Sequence, residues 1–232
     1  MAQAENPARE RILARIRNGL LTPTAGHAAD MSTRRTAAKV FAPITDALDR
    51  FQKECAENNT EFIVTRDAKG SAKAVADVLA SLPEGEVFVQ DTSELRRLAK
   101  TWQPGRTIRW SSEGAPAETS QATITLAECL VAQTGSIFVS SKCGGRGASV
   151  IAPVHIVVAS LGQLVPDLDA AFARLREHGT ASQDSFVCLI TGSSRTGDIE
   201  KILVMGAHGP RRLVIVLALQ PANEEGVSPA KA

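Results

Sequence analysis

Short apolar runs alternate with amphipathic helical patterns along most of this 232-residue chain. In the first half, Phe62-Ile63-Val64 and Val87-Phe88-Val89 each stand between segments with the three-to-four-residue apolar spacing of a helix. In the second half the runs are denser, and several, such as Val154–Ala159 and Leu213–Leu219, are apolar throughout rather than alternating. Strands that are apolar on both sides are typical of parallel sheets covered on both faces. The pattern therefore predicts an α/β fold with an open, mainly parallel sheet and flanking helices.

The same two periodicities predict the remaining elements. Further strands are predicted at 107–110, 122–125, 136–139 and 186–191. Helices are predicted at 7–20, 44–55, 75–82, 93–100 and 168–175, the last after Pro166-Asp167. Ser93 is the expected N-cap of the fourth helix, because a serine hydroxyl can accept from a free backbone N–H in the first turn.

Three regions are predicted from these patterns. Residues 1–40 hold an amphipathic helix and a flexible connector containing Pro23 and Gly26. Residues 41–220 form the α/β domain, and residues 221–232 form a disordered tail rich in Pro, Gly, Ser, Ala and Glu. The first helix could pack on the domain or on a second subunit of a homo-oligomer.

Charge and composition narrow the class of partner. The net charge of +1, the absence of Tyr and the presence of only two Trp give no support for a nucleic-acid surface. The first residues lack the basic start and apolar run of a signal peptide, and no apolar stretch approaches the length of a membrane span. We therefore expect a soluble, cytoplasmic protein.

The cysteines argue against a metal site in this chain. They stand at positions 55, 129, 143 and 188, with no C-x-x-C pair among them. This spacing predicts neither structural zinc nor an iron–sulfur cluster. Cys188, within an apolar run, is expected to be a buried thiol, whereas Cys143, between glycines and basic residues, is expected to be exposed.

A polar segment, Thr191–Glu200, directly follows the apolar run that ends at Ile190. In parallel α/β sheets ligands bind outside the carboxyl ends of strands, so its hydroxyls and the Arg195 guanidinium could surround a phosphate or carboxylate. Glu200 is available as an acid or a base. Alternatively, the segment is a polar loop that caps a following helix. The residues predicted to bind a small anionic substrate here are Thr191, Gly192, Ser193, Ser194, Arg195 and Thr196.

Two other segments could add to this site. In Gly206–Pro210, His208 between small residues could carry or donate a proton, or could simply be solvated. In Ala127–Ser136, Glu128 is a candidate acid or base. The turn residues Thr134, Gly135 and Ser136 could present amides and hydroxyls to a substrate, although a helix start and a hairpin-like turn would explain this segment equally well.

The glycine-rich segment Ser140–Gly147 carries Lys142 and Arg146. A mobile cationic loop of this kind suits an anionic substrate or a protein partner, and a solvated loop is the alternative. His155 lies inside a buried strand and is expected to be a core histidine with a backbone partner.

Taken together, five stretches resemble the lactate-utilisation protein C family, also called the LUD domain. They are Glu10–Arg17, Ala132–Ser136, Pro153–Val157, Ile190–Glu200 and Gly206–Pro210. The resemblance implies a fold similar to that of CoA transferases and pentose-phosphate isomerases. It also implies a role in oxidising L-lactate to pyruvate beside two partner proteins that carry iron–sulfur clusters, with no cofactor bound by this chain.

The chain departs from the family pattern at Gln133, where the family usually has Glu. An amide keeps the shape of the carboxylate but cannot act as a base. The candidate catalytic set is Gln133, Arg195, Glu200 and His208. Three functions stay open: a lactate-utilisation component, a stand-alone isomerase or transferase acting on a small anion, and a non-catalytic assembly or regulatory subunit.

Overall fold

A computed structural model describes residues 7–21, 43–102, 106–114, 119–197, 203–205 and 209–220. The helices are α1 (Pro7–Leu21), α2 (Ala47–Glu57), α3 (Ala68–Ala80), α4 (Ser93–Ala99), α5 (Leu168–Glu177) and α6 (Thr180–Gln183). The strands are β1 (Glu61–Thr65), β2 (Val87–Val89), β3 (Ile108–Trp110), β4 (Ala122–Leu126), β5 (Cys129–Val131), β6 (Ser136–Ser140), β7 (Val154–Ser160), β8 (Leu164–Val165), β9 (Val187–Ile190), β10 (Arg195–Gly197), β11 (Leu203–Met205) and β12 (Arg212–Ala218).

The chain divides into two units, Met1–Pro43 and Ile44–Ala232. The described part of the first unit is Pro43 together with helix α1, in which Ile12 and Ile16 are exposed. The predicted connector and tail fall on residues that lie largely or wholly outside the described ranges. Within those ranges, no helix is both long and apolar enough to cross a membrane.

Six parallel strands form the main sheet of the second unit, in the order β1-β12-β7-β4-β2-β3. The long strands β7 and β12 lie side by side in its interior and are buried along almost their whole length. This confirms the predicted open, parallel α/β sheet and explains why these two runs are apolar on both sides. All strands of this sheet run from one edge, here called the amino edge, to the opposite carboxyl edge.

A second, four-stranded sheet has the order β8-β5-β6-β9, with β6 antiparallel to both β5 and β9. Helices α3 and α4 cover one face of the main sheet through a core that contains Val75, Leu95 and Ile156. Helix α2 and the second sheet cover the other face, where Phe51 and Ile137 share a core. Helix α5 then packs on the far side of the second sheet. The unit is therefore layered helix, sheet, sheet, helix.

Four helices begin at side chains that accept a hydrogen bond from the backbone N–H three residues later. Asp46, Asp67, Thr92 and Asp167 cap α2, α3, α4 and α5 in this way, at 2.8–3.2 Å. The predicted cap at Ser93 is thus wrong by one residue. Thr92 has the extended backbone that a cap needs, and Ser93 is already helical.

Several local predictions differ from the structure. Strands β5 and β8 were not predicted, because three and two residues are too short to show a period. A short antiparallel pair, β10 with β11, begins at Arg195, inside the Thr191–Glu200 segment that the alternative interpretation treated as the cap of a following helix. Cys143 is only 5% exposed, because the glycine-rich loop folds back over the sheet, and Cys188 is partly rather than fully buried.

Candidate functional site

Two of the predicted segments meet at a chain of hydroxyl groups. Ser136 Oγ donates to Thr134 Oγ1 at 2.7 Å and shares a second hydrogen bond of 2.7 Å with Thr191 Oγ1. The turn between β5 and β6 and the loop after β9 bring these side chains together, because β9 is paired with β6. We call Thr134, Ser136 and Thr191 the hydroxyl cluster.

Glycines let this cluster pack directly on the end of helix α2. A side-chain carbon at Gly192 would lie 2.4 Å from the carbonyl oxygen of Asn58, and one at Gly135 would lie 2.7 Å from Glu54 Cβ. Both glycines also have positive φ angles, 78° and 62°. Asn58 Nδ2 donates to the carbonyl of Thr134 at 3.0 Å. The two glycines therefore allow close contact with α2. The helix fills the space beside the glycines, so no ligand can bind there.

The hydroxyl cluster lies at the amino edge of the main sheet. Ser194 N donates to the carbonyl of Pro210 at 2.8 Å, just before β12 begins, and Arg211 N donates to that of Pro153, just before β7 begins. Strand β9, which leads into the loop, belongs to the second sheet. The rule that ligands bind at the carboxyl ends of parallel strands therefore lends this loop no support.

The structure describes the predicted catalytic residues only in part. The backbone of Gln133 fixes the turn: its N–H donates to the carbonyl of Pro166 at 2.9 Å, and its carbonyl accepts from Arg50 Nη2 at 3.5 Å. Arg195 and Thr196 lie in β10, of which only the backbone is described. Glu200 and His208 lie outside the described residues. Ser193 is buried, and its hydroxyl has no partner among the described residues.

The start of the Ala127–Ser136 segment and the glycine-rich segment Ser140–Gly147 meet at the carboxyl edge. Glu128 lies two residues after β4, and its carboxylate accepts from Ser140 Oγ at 2.6 Å and Thr180 Oγ1 at 3.4 Å. The Cys143 thiol lies 3.9 Å from the same carboxylate. We call Gln90, Glu128, Ser140, Lys142 and Asp184 the carboxyl-edge cluster.

The backbone of Lys142 is held on both sides in this cluster. Its N–H donates to Ser140 Oγ at 3.1 Å, and its carbonyl accepts from Gln90 Nε2 at 2.8 Å. Its ammonium lies 3.2 Å from Asp184 Oδ2, and the Lys142 side chain is 54% exposed. Gln90 also accepts from Leu126 N at 2.7 Å, so it ties together the carboxyl ends of β2 and β4.

The buried side chains of Cys143 and His155 are both held in their neutral forms. Burial raises the pKa of Cys143 to about 11, with a further rise from the neighbouring Glu128 carboxylate, so the thiol stays protonated at neutral pH. Burial lowers the pKa of His155 to about 4. Its Nε2 shares a 2.9 Å hydrogen bond with Thr125 Oγ1, a side-chain partner where a backbone one was predicted.

The carboxyl-edge cluster includes residues that the sequence did not single out. Gln90 directly follows the buried strand β2, so the strand-end rule applied to that run would have found it. Asp184 and Thr180 are brought in by α6 and by the approach to β9, and no local pattern marks them. Among the described residues, no group of His, Cys, Asp and Glu is arranged to hold a metal ion.

This chain is similar to a known protein family, to individual bacterial proteins and to a solved structure. Residues 114–218 match the family model of the LUD domain. Lactate utilization protein C of Bacillus subtilis is 26% identical over 188 residues, covering 74% of this chain and 78% of that protein. An uncharacterized protein of Neisseria meningitidis is 37% identical over 107 residues, covering 45% of this chain and 43% of its own length. A DUF162 family protein from Deinococcus radiodurans, known from a crystal structure, has the same fold, with a TM-score of 0.58 at 18% identity, covering 74% of this chain and 96% of that one.

Proposed function

Because residues 114–218 match the LUD domain and the chain is similar to lactate utilization protein C, we propose that it supports the oxidation of L-lactate to pyruvate. The observation that carries the proposal is the extent of the similarity. Three Bacillus proteins named lactate utilization protein C each cover 70–74% of this chain at 26–27% identity. Both clusters, with their connecting strands, fall largely inside the residues that match the LUD domain.

The oxidation releases two electrons, and we propose that iron–sulfur proteins acting with this chain accept them. The cysteine spacing supports this division of labour, because no two cysteines stand as a C-x-x-C pair. In this account the chain binds its ligand and its partners in the cytoplasm and holds no cluster itself. The candidate catalytic residues Gln133, Arg195, Glu200 and His208 stay a prediction.

The role is tested by deleting the gene and measuring growth on L-lactate as sole carbon source. We expect growth on L-lactate to be lost, growth on pyruvate to be normal, and the defect to be reversed by a plasmid copy. Pyruvate is the matched control, because it enters metabolism after the proposed step. Normal growth on L-lactate, in a strain with no second gene of this family, would contradict the proposal.

A non-catalytic assembly role is the second candidate, and Gln133 favours it. The residue replaces the family glutamate, and its backbone serves to hold the turn before β6. If assembly is the whole role, Arg195→Ala should leave lactate oxidation by the complex unchanged while the partner proteins still co-purify. A large loss of turnover with the complex intact would exclude it.

A further inference from the structure

We propose that two copies of this chain pair through strand β9, so that the four-stranded second sheets of both copies join into one continuous sheet. The partner is a second copy of this chain, held by backbone hydrogen bonds along the free edge of β9 and by apolar side chains on both faces. The inference rests on the pairing, burial and composition of β9 and does not depend on the proposed function.

Strand β9 is the last strand of the second sheet, and among the described residues it pairs with β6 alone. Ser141 N donates to the carbonyl of Phe186 at 2.9 Å, which makes these two residues a hydrogen-bonded pair of the antiparallel ladder. Such pairs alternate with non-hydrogen-bonded ones, so the backbone of Cys188 also faces β6. The N–H and carbonyl groups of Val187 and Leu189 therefore point away from β6, toward the free edge.

The free edge of β9 lacks the features that keep other strands away. A free strand edge can pair with another strand, and proteins prevent this with charged residues, proline or very short strands. Strand β1 begins with Glu61, β3 has Arg109 at its middle position, and β8 has two residues and ends before Pro166. Strand β9, Val187–Ile190, has neither a charge nor a proline. Among these four edge strands, β9 is therefore the one expected to pair.

The burial of β9 is that of a strand without a second neighbour. Strand β6 is buried at every position, whereas no residue of β9 is fully buried and Leu189 is 38% exposed. Leu189 lies opposite Phe138, and the Phe172 ring contacts the Phe138 ring from α5 while Phe172 stays 48% exposed. Leu189 and Phe172 thus leave apolar surface exposed on either side of Phe138, next to the free edge.

The same strand from a second copy fits this edge. With a two-fold axis beside Cys188, Val187 of each copy lies opposite Leu189 of the partner subunit, and their outward N–H and carbonyl groups can bond to each other. On the other face, Cys188 meets Cys188 of the partner subunit. No like charges meet, because β9 carries none. This match of the strand to itself favours a second copy over a strand from another protein.

The first test is sedimentation velocity of the full chain at increasing micromolar concentrations, where we expect a monomer–dimer equilibrium. Leu189→Lys should raise the dimer dissociation constant about tenfold or more, because it places a charge on the free edge. Val64→Lys is the matched control, since Val64 is 40% exposed on β1, an edge strand of the main sheet. It should leave the dissociation constant unchanged. Thermal unfolding of each variant verifies that it is folded.

The second test is cysteine cross-linking, which reports the register without relying on a folded Leu189 variant. In a non-hydrogen-bonded antiparallel pair the Cα atoms lie about 4.5 Å apart, within the roughly 4.4–6.8 Å that a disulfide spans. Diamide, which takes up the two electrons and two protons that a pair of thiols releases, should therefore link Cys188 to Cys188 of the partner subunit. Cys188→Ser should abolish the linked dimer, whereas Cys143→Ser, at a buried thiol, should not.

A chain that stays monomeric at every concentration would overturn the proposal and leave β9 to a strand from another protein. A dimer that Leu189→Lys does not weaken, that Val64→Lys weakens equally, or that forms no link at Cys188 would overturn it as well. Neither test involves lactate, so the growth phenotype on L-lactate judges the proposed function separately.

Discussion

At the scale of single residues, His155 shows how a polar side chain is accommodated between the two sheets. It is fully buried on the central strand β7, bonded through Nε2 to Thr125, while its Nδ1 has no partner among the described residues. Burial disfavours the charged ring and lowers its pKa from 6.5 to about 4. The neutral form is thus part of the native state.

This predicts a dependence of stability on pH. Between about pH 6.5 and 4 the unfolded chain binds a proton at His155 and the folded chain does not, so stability falls as the pH falls. The full loss is about 3 kcal/mol, from the size of the pKa shift. Urea unfolding at several pH values measures it. His155→Gln should remove this pH-dependent loss of stability. His178→Gln, at an exposed helix end, should keep it. If both variants and the unchanged protein show the same dependence of stability on pH, His155 is not its source.

The packing of Gly192 against α2 leads to a second prediction about stability at the residue scale. An alanine there would have a positive φ and a methyl group 2.4 Å from the Asn58 carbonyl. Gly114 has a similar φ of 67° with nothing near the added carbon, so Gly114→Ala isolates the backbone strain, about 1–2 kcal/mol. Gly192→Ala should cost clearly more, about 3 kcal/mol or above, in chemical denaturation. Equal losses would mean that the loop does not pack on α2.

At the scale of elements, the sequence predicted the helices and strands that have a long or distinct apolar pattern. Strands β7 and β12 were found because seven buried residues leave a continuous apolar run. Strand β9 was found too, but not its direction, because an apolar run does not reveal which neighbour it pairs with. Because the pairing of β9 was not predicted, the Thr191 loop was expected at the carboxyl edge of a parallel sheet. The structure places it at the amino edge of the main sheet.

Helix α5 offers a prediction at the element scale. Asp167 caps it by accepting from Ala170 N at 2.8 Å, whereas Asp169 lies exposed in the first turn without a capping bond. Asp167→Ala should destabilise the protein by about 1 kcal/mol, because an N–H loses its acceptor. Asp169→Ala should cost only a few tenths of that, through the helix dipole alone. Urea unfolding curves compare the two, and a larger loss for Asp169→Ala would refute the assigned cap.

At the scale of the whole molecule, the second sheet decides where the polar segments lie. Strands β5, β6 and β9 carry the chain back and forth between the two edges of the main sheet. The segments that the sequence grouped as one site are therefore divided. Thr134, Ser136 and Thr191 meet at one edge, and Glu128 and Lys142 meet at the other. Composition and spacing indicated which segments were polar and glycine-rich, but only pairing between distant strands determines which of them meet.

The central claim is that this protein supports the oxidation of L-lactate, and the consumption of L-lactate by intact cells tests it most directly. Cells that lack the gene should consume L-lactate far more slowly than the parent strain. A wild-type copy should restore consumption. Undiminished consumption in the deletion strain, with no related gene present, would contradict the account.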